Sequence, residues 1–265
     1  MITVLGASGF IGRNLTRRLR ELNIEYYAPE RNESPAGRHL GDVIYCIGVT
    51  ADFRSRPLET VDAHVCYLMN FLAECDFDSL LYLSTTRLYR HGQRTREEDE
   101  LRINPSDADD LYNISKALGE SLVLSCGKHG RVARISNVYG DDFDSQNFLS
   151  SVIRQTLAEN RVTIRTAPES EKDYVSIDDV VDGLIAIATR GRHQIYNVAS
   201  GTNVTNAALI DRLRELTGCS FDFLPGAPQV EFAAIDIGRM RDEFSFNPGQ
   251  LLDRLGELID LYKRH

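Results

Sequence analysis

The chain has 265 residues, is 42% apolar and 26% charged, and carries a net charge of −9. This is the mix of a globular protein of one large domain, and the acidic balance excludes nucleic acid as the main partner. No apolar run reaches the length of a bilayer span, so no membrane association is expected.

Residues 2–5 form a short apolar run that reads as a buried strand. Phe10, Ile11, Leu15, Leu19 and Leu22 then recur at helical spacing and predict a helix over 10–22. Between them Gly6, Gly9 and Gly12 stand three apart on a strand-to-helix turn. There the backbone must bend tightly and let a phosphate approach, and a helix N-terminus offers unpaired N–H groups to a diphosphate. Gly6, Ser8, Gly9, Phe10, Ile11 and Gly12 are therefore the candidate dinucleotide-binding residues.

Residues 24–28 read as a second strand and 43–47 as a third. Only eleven residues, 32 to 42, separate the end of the second from the third, and they include Pro35, Gly37 and Gly41. A crossover helix with its return strand needs a dozen or more, so one βα unit is replaced by a loop. A helix follows at 57–75, a strand at 80–83, a helix at 109–126 and a strand at 132–135. After Gly140 come helices at 148–157, 177–189, 207–217 and 250–262, with short strands at 162–164 and 195–198. The alternation predicts an α/β fold, a Rossmann-type doubly wound parallel sheet lacking one βα unit. That unit spans residues 1–140 with elements returning from 177–198. Residues 141–265 are expected to form a small substrate lobe, not an independent domain.

The chain starts on a strand with no basic leader, and Cys46, Cys66, Cys75, Cys126 and Cys219 show no metal spacing. Both features point to a cytoplasmic protein with buried thiols. The six histidines show no ligand spacing either, and no metal site is predicted.

Tyr112 and Lys116 lie one helical turn apart. A nearby ammonium stabilises phenolate, so Lys116 is expected to lower the Tyr112 pKa from about 10 towards neutrality. Such a phenol can donate or accept the proton of a carbinol. The hydroxyl cluster Ser84-Thr85-Thr86 ends the preceding strand, at the edge of an open sheet where active sites lie.

The glycine turn, Ser84-Thr85-Thr86-Arg87-Leu88-Tyr89 and Tyr112-x-x-x-Lys116 together resemble the extended short-chain dehydrogenase/reductases, mainly nucleotide-sugar epimerases, dehydratases and ketoreductases. Arg134–Gly140, Lys172–Val180 and Asn197–Gly201 are similar to later segments of that family, in the same order. The resemblance implies that Thr85, Tyr112 and Lys116 are catalytic, with Tyr112 the acid/base and Lys116 also holding the nicotinamide ribose. It implies substrate contacts at Thr86, Asn137 and Lys172, the last in place of the family's diphosphate-binding arginine. Arg239 and Arg241 are either its replacement or ordinary surface residues. Where sugar dehydratases carry an acidic pair, this chain has Thr86-Arg87, which disfavours elimination. His64 stands where the family has asparagine, either as a proton relay or as a packed helix residue.

Glu30, eighteen residues after Gly12, is placed to accept from a ribose 2′-hydroxyl and favours NAD; the adjacent Arg31 favours NADP. The balance leans to NAD. The expected activity is NAD(P)-dependent oxidation and reduction at C4 of a nucleotide-diphosphate sugar, as 4-epimerase or 4-keto reductase. The alternative is a non-catalytic cofactor-binding sensor or partner protein. The resemblance also implies a homodimer through helices 57–75 and 109–126, with Leu68, Leu72 and Leu118 either contacts of that interface or ordinary core residues.

Overall fold

The computed structural model describes every residue except Asn32 and Ala51. Six parallel strands form the central sheet: β1 (Ile2–Leu5), β2 (Tyr26–Tyr27), β3 (Asp42–Tyr45), β4 (Ser79–Thr85), β5 (His129–Ile135) and β9 (Ile195–Val198). Their spatial order is β2-β1-β3-β4-β5-β9. Strand β1 pairs with both β2 and β3, and the chain passes from the sheet edge back across β1 with no helix among the described residues between them. This is the shortened unit expected from the loop over 32–42, although Asn32 itself lies outside the described residues. Strand β2 is two residues long instead of the five expected, because only Tyr26 and Tyr27 find ladder partners on β1.

Two apolar layers cover the sheet. On one face α1 (Phe10–Glu21) and α6 (Ile177–Arg190) pack over Val4, Ile44, Leu81 and Ala133. Arg18 and Asp182 tie the two helices at 2.7 Å. On the other face Tyr45, Leu68, Phe71, Tyr82 and Val123 form the core beneath the helix over residues 57–74 and α4 (Asp110–Ser125). Strands buried on both faces carry near-continuous apolar runs, and Leu80, Leu81, Tyr82 and Leu83 are all buried.

The helix over 57–74 is not uniform. It runs as α2 (Pro57–Val61), a π turn (Asp62–Cys66) and α3 (Tyr67–Glu74). A π turn displaces carbonyls from regular helix bonding. Here the Tyr45 hydroxyl donates to the Ala63 carbonyl (2.8 Å) and the Tyr82 hydroxyl to the His64 carbonyl (3.3 Å). Periodicity alone cannot distinguish this break from regular helix, since the apolar face continues through it.

A second core gathers α5 (Phe148–Ala158), α7 (Asn206–Thr217) and α9 (Leu251–Lys263) around β7 (Arg161–Ile164), β8 (Glu171–Ser176) and β11 (Ser220–Phe223). Strand β8 also pairs with β6 (Asn137–Tyr139) and β10 (Asn203–Thr205). These short strands show no clear period-two pattern and were not among the predicted elements. A further unpredicted helix, α8 (Gly238–Phe244), returns to the first core through Met240. No described helix is long and apolar enough to cross a membrane. Among the expected dimer contacts, Leu68 is fully buried in the core and Leu72 packs against it, whereas Leu118 is 48% exposed. Core packing therefore removes Leu68 from any surface role.

Candidate active site

The turn after β1 is built for close backbone approach. Gly6 has φ +81°, and a Cβ there would stand 3.0 Å from the Ile47 nitrogen. A Cβ on Gly12 would meet the Gly6 carbonyl oxygen at 2.2 Å. Neither position tolerates a side chain. Gly9 caps α1 without any side-chain hydrogen bond, so the first-turn N–H groups have no side-chain acceptor. An open, side-chain-free helix N-terminus at the sheet's carboxyl edge fits a diphosphate. Gly9, Phe10 and Ile11 line the main cleft; Ser8, Glu30 and Arg31 are exposed, and Gly6 and Gly12 do not line it.

The cleft, about 520 Å³, brings together Thr85, Thr86, Tyr112, Lys116, Asn137 and Lys172. Thr85 ends β4 and Thr86 opens a 3₁₀ turn (Thr86–Tyr89), capped by the Arg87 N–H on Thr85 Oγ1 at 3.1 Å. Tyr112 and Lys116 come from α4. Its N-terminus is pinned by the fully buried Asp110, which accepts from the Asn104 N–H (2.7 Å) and Asn113 Nδ2 (2.6 Å). Asp110 also meets His91 at 3.1 Å, and Arg90 stands 3.5 Å from Asp107, so this acidic cluster is an ion-pair network.

The electrostatics differ from the sequence expectation. Burial pushes the Tyr112 phenol up to about 12; Thr85 and the Arg87 charge pull it the other way without prevailing. Burial pushes the Lys116 ammonium down to about 7. Lys116 Nζ donates to the Leu83 carbonyl at 2.8 Å and lies 4.9 Å from the Tyr82 ring centre. The ammonium is thus held on the strand side, and burial governs the phenol.

His64 is fully buried on the π turn. Its Nε2 accepts from the Val49 N–H at 3.2 Å, which places the proton on Nδ1, 2.8 Å from Ser115 Oγ. Ser115 Oγ in turn donates to the Tyr112 carbonyl at 2.9 Å. The ring stands edge-on to Tyr112 at 5.3 Å. Burial, then the Lys116 charge, pushes its pKa down to about 2. His64 is therefore a neutral packed residue that links the loop after β3 to α4, and it does not line the cleft.

Asn137 donates from Nδ2 to the Asp173 carbonyl at 2.8 Å, tying β6 to β8, while Lys172 Nζ lies 5.3 Å from the Phe148 ring centre. Arg239 is engaged elsewhere, on the Ile195 carbonyl (2.7 Å) and Glu98 (3.1 Å), and Arg241 is exposed outside the cleft. The arginines that do enter it, Arg54, Arg87 and Arg90, gather around Asp109. Sequence reading missed Phe53, Arg54, Arg90 and the 230–235 segment because loops without periodicity carry them. Ser84 Oγ is buried in the cleft wall with no partner among the described residues.

The profile of the NAD dependent epimerase/dehydratase family matches residues 2–57 and 39–199. A dTDP-glucose 4,6-dehydratase of Streptomyces griseus is 29% identical over 206 residues, covering 71% of this chain but only 59% of that enzyme. A dTDP-4-dehydro-6-deoxy-D-allose reductase of a Streptomyces species is 24% identical, with 100% of this chain and 96% of the reductase covered. Among solved structures, MoeE5 in complex with UDP-glucose and NAD superposes with a TM-score of 0.80 at 21% identity, covering 99% of this chain and 98% of that one. This last likeness is one of fold.

Proposed function

Because the chain belongs to the NAD dependent epimerase/dehydratase family, we propose that it performs hydride chemistry at C4 of a nucleotide-diphosphate sugar, with net reduction of a 4-keto sugar as the leading direction. The observation that carries this reading is the convergence of Thr85 and Tyr112 in one cleft with the open glycine turn. Bound nicotinamide would supply the hydride. Thr85 holds the C4 oxygen, and Tyr112, protonated at neutral pH because burial raises it to about 12, hands its proton to that oxygen. Lys116 is placed to hold the nicotinamide ribose. Asn137 and Lys172 stand on the substrate side, and Thr86 beside Thr85 completes the sugar contacts.

Two observations favour reduction. A phenol that keeps its proton is a donor first, and the chain resembles the allose-type keto reductase along its whole length. Elimination is disfavoured, since Thr86-Arg87 offers no carboxylate beside Thr85. A 4-epimerase uses the same three residues in both directions and is the second reading. Glu30 keeps the lean towards NAD over NADP. Pairing of two copies through α2, α3 and α4, with Leu58 (82% exposed), Met69 (52%) and Leu118 outward, belongs to the same reading.

The test is turnover. The protein is mixed with dTDP-4-keto-6-deoxyglucose and NADH or NADPH, and loss of the reduced nicotinamide is followed. We expect stoichiometric oxidation by the parent and a rate about 10²–10⁴-fold lower for Tyr112→Phe. Equal rates for the two proteins would remove tyrosine from the chemistry.

A further inference from the structure

The reacting end of the cleft carries more positive charge than its own carboxylates satisfy. A side pocket of about 160 Å³ shares Phe53, Arg54, Arg87, Asn137 and Lys172 with the main cleft. Among the described residues that line it there are three cations and no carboxylate. Arg54, Arg87 and Arg90 instead share Asp109, at 2.5, 3.5 and 3.5 Å. One carboxylate cannot satisfy three guanidinium groups. Arg87 Nε and Arg90 Nη1 are buried with no acceptor at hydrogen-bond geometry among the described residues. Arg90 has Asp107 at 3.5 Å as a further partner; among the described residues Arg87, only 26% exposed, has no carboxylate partner beyond Asp109.

Position decides which part of a ligand would meet Arg87. Its own N–H donates to the hydroxyl of Thr85. Its guanidinium lies 5.5 Å from the centre of the Phe53 ring, Arg54 lies 4.5 Å from the same ring, and that ring packs on Tyr112 at 5.1 Å. Arg87 is therefore a neighbour of the reacting hydroxyls. Lys172 lines the same side pocket, with its ammonium over the Phe148 ring.

We propose that Arg87, assisted by Arg54 at the rim, is an anion subsite beside the reacting carbon, and that this protein prefers a nucleotide sugar with a carboxylate on its hexose over the neutral counterpart. A carboxylate presents two acceptor oxygens to the fork of a guanidinium, and the pair strengthens as water is excluded. A neutral hexose would leave Arg87 Nε without an acceptor in the closed complex. The inference rests on the nucleotide-sugar reading above but not on the direction of hydride transfer.

The test is titration calorimetry on the NAD-loaded Tyr112→Phe protein, in which turnover is stalled. The probes are matched pairs, glucose and glucuronic acid each on uridine diphosphate and on thymidine diphosphate. We expect the glucuronic acid member to bind on the order of tenfold more tightly. Adding Arg87→Gln should abolish that preference and leave the glucose member within about twofold, while Arg87→Lys should keep part of it. The preference of the Tyr112→Phe protein is itself decisive should Arg87→Gln not fold. If the glucose member binds as well as or better than the acid, or if Arg87→Gln weakens both members equally because it serves the diphosphate, the inference fails and the nucleotide-sugar reading stands. Binding of none of the four would overturn both.

Discussion

Replacing His64 by asparagine should remove a definite part of the acid sensitivity of this protein. The imidazole is fully buried and held neutral, with its pKa pushed down to about 2. In the unfolded chain it titrates near about 6.5. The folded value is the depressed one, so its contribution is present in full above about pH 6.5. It is lost as pH falls towards 2, because the unfolded chain takes up a proton that the native state refuses. Each pH unit is worth about 1.4 kcal/mol once the unfolded imidazole is mostly protonated, so between pH 7 and pH 5 the loss is about 2 kcal/mol. Asparagine does not titrate. It should cost about 1–3 kcal/mol at pH 7, because the Val49 N–H or Ser115 Oγ loses its partner. The difference between the two proteins should then shrink by about 2 kcal/mol at pH 5. Urea unfolding of both at the two pH values measures this, and titration of exposed ion pairs cancels in the comparison. A gap of the same size at pH 7 and pH 5 would mean that His64 is protonated in the native state or open to water, and the account of it as a neutral link would be wrong.

Gly12→Ala should abolish cofactor binding and destabilise the fold by about 1–3 kcal/mol, since its methyl would overlap the Gly6 carbonyl oxygen; a variant that still takes up NAD with unchanged affinity would contradict this. Thr85→Val should lower the single-turnover rate by about 10–100-fold while leaving NAD affinity intact, the loss of one hydrogen bond to developing charge, and a normal rate would remove Thr85 from the site. Burial brings the Lys116 ammonium to about 7, so it is charged below that value and neutral above it. Cofactor affinity measured by quenching of reduced-nicotinamide fluorescence should therefore fall as pH rises from about 6 to 9, and Lys116→Met should be flat across the same range. Arg134→Met should cost about 3–5 kcal/mol in urea unfolding, because it leaves the buried Glu120 carboxylate, now 2.7 Å from Arg134 Nη2, without its partner. A smaller loss would show that Glu120 is protonated or hydrated.

Local chemistry settled much of this protein before any tertiary contact formed. The apolar runs at Ile2–Leu5 and in β4, the glycines three apart between strand and helix, and the Tyr112–Lys116 spacing each depend on neighbours within a few residues. Such features dictate a parallel α/β sheet, a diphosphate turn and a helix that carries the phenol. The eleven-residue span before β3 likewise set the loss of a βα unit, because chain length limits what can be crossed. Whatever depends on burial lay beyond that reach. The π turn at His64 is accommodated because the hydroxyls of Tyr45 and Tyr82 donate to its displaced carbonyls. The phenol rises and the ammonium falls because both are desolvated, a property of the whole packed molecule and not of helical spacing. The cluster of Arg54, Arg87 and Arg90 on Asp109 joins loops up to 55 positions apart, and no pattern along the chain brings them together. Periodicity encodes which face of an element is apolar; the dielectric around a charge is decided only when the remaining elements close over it.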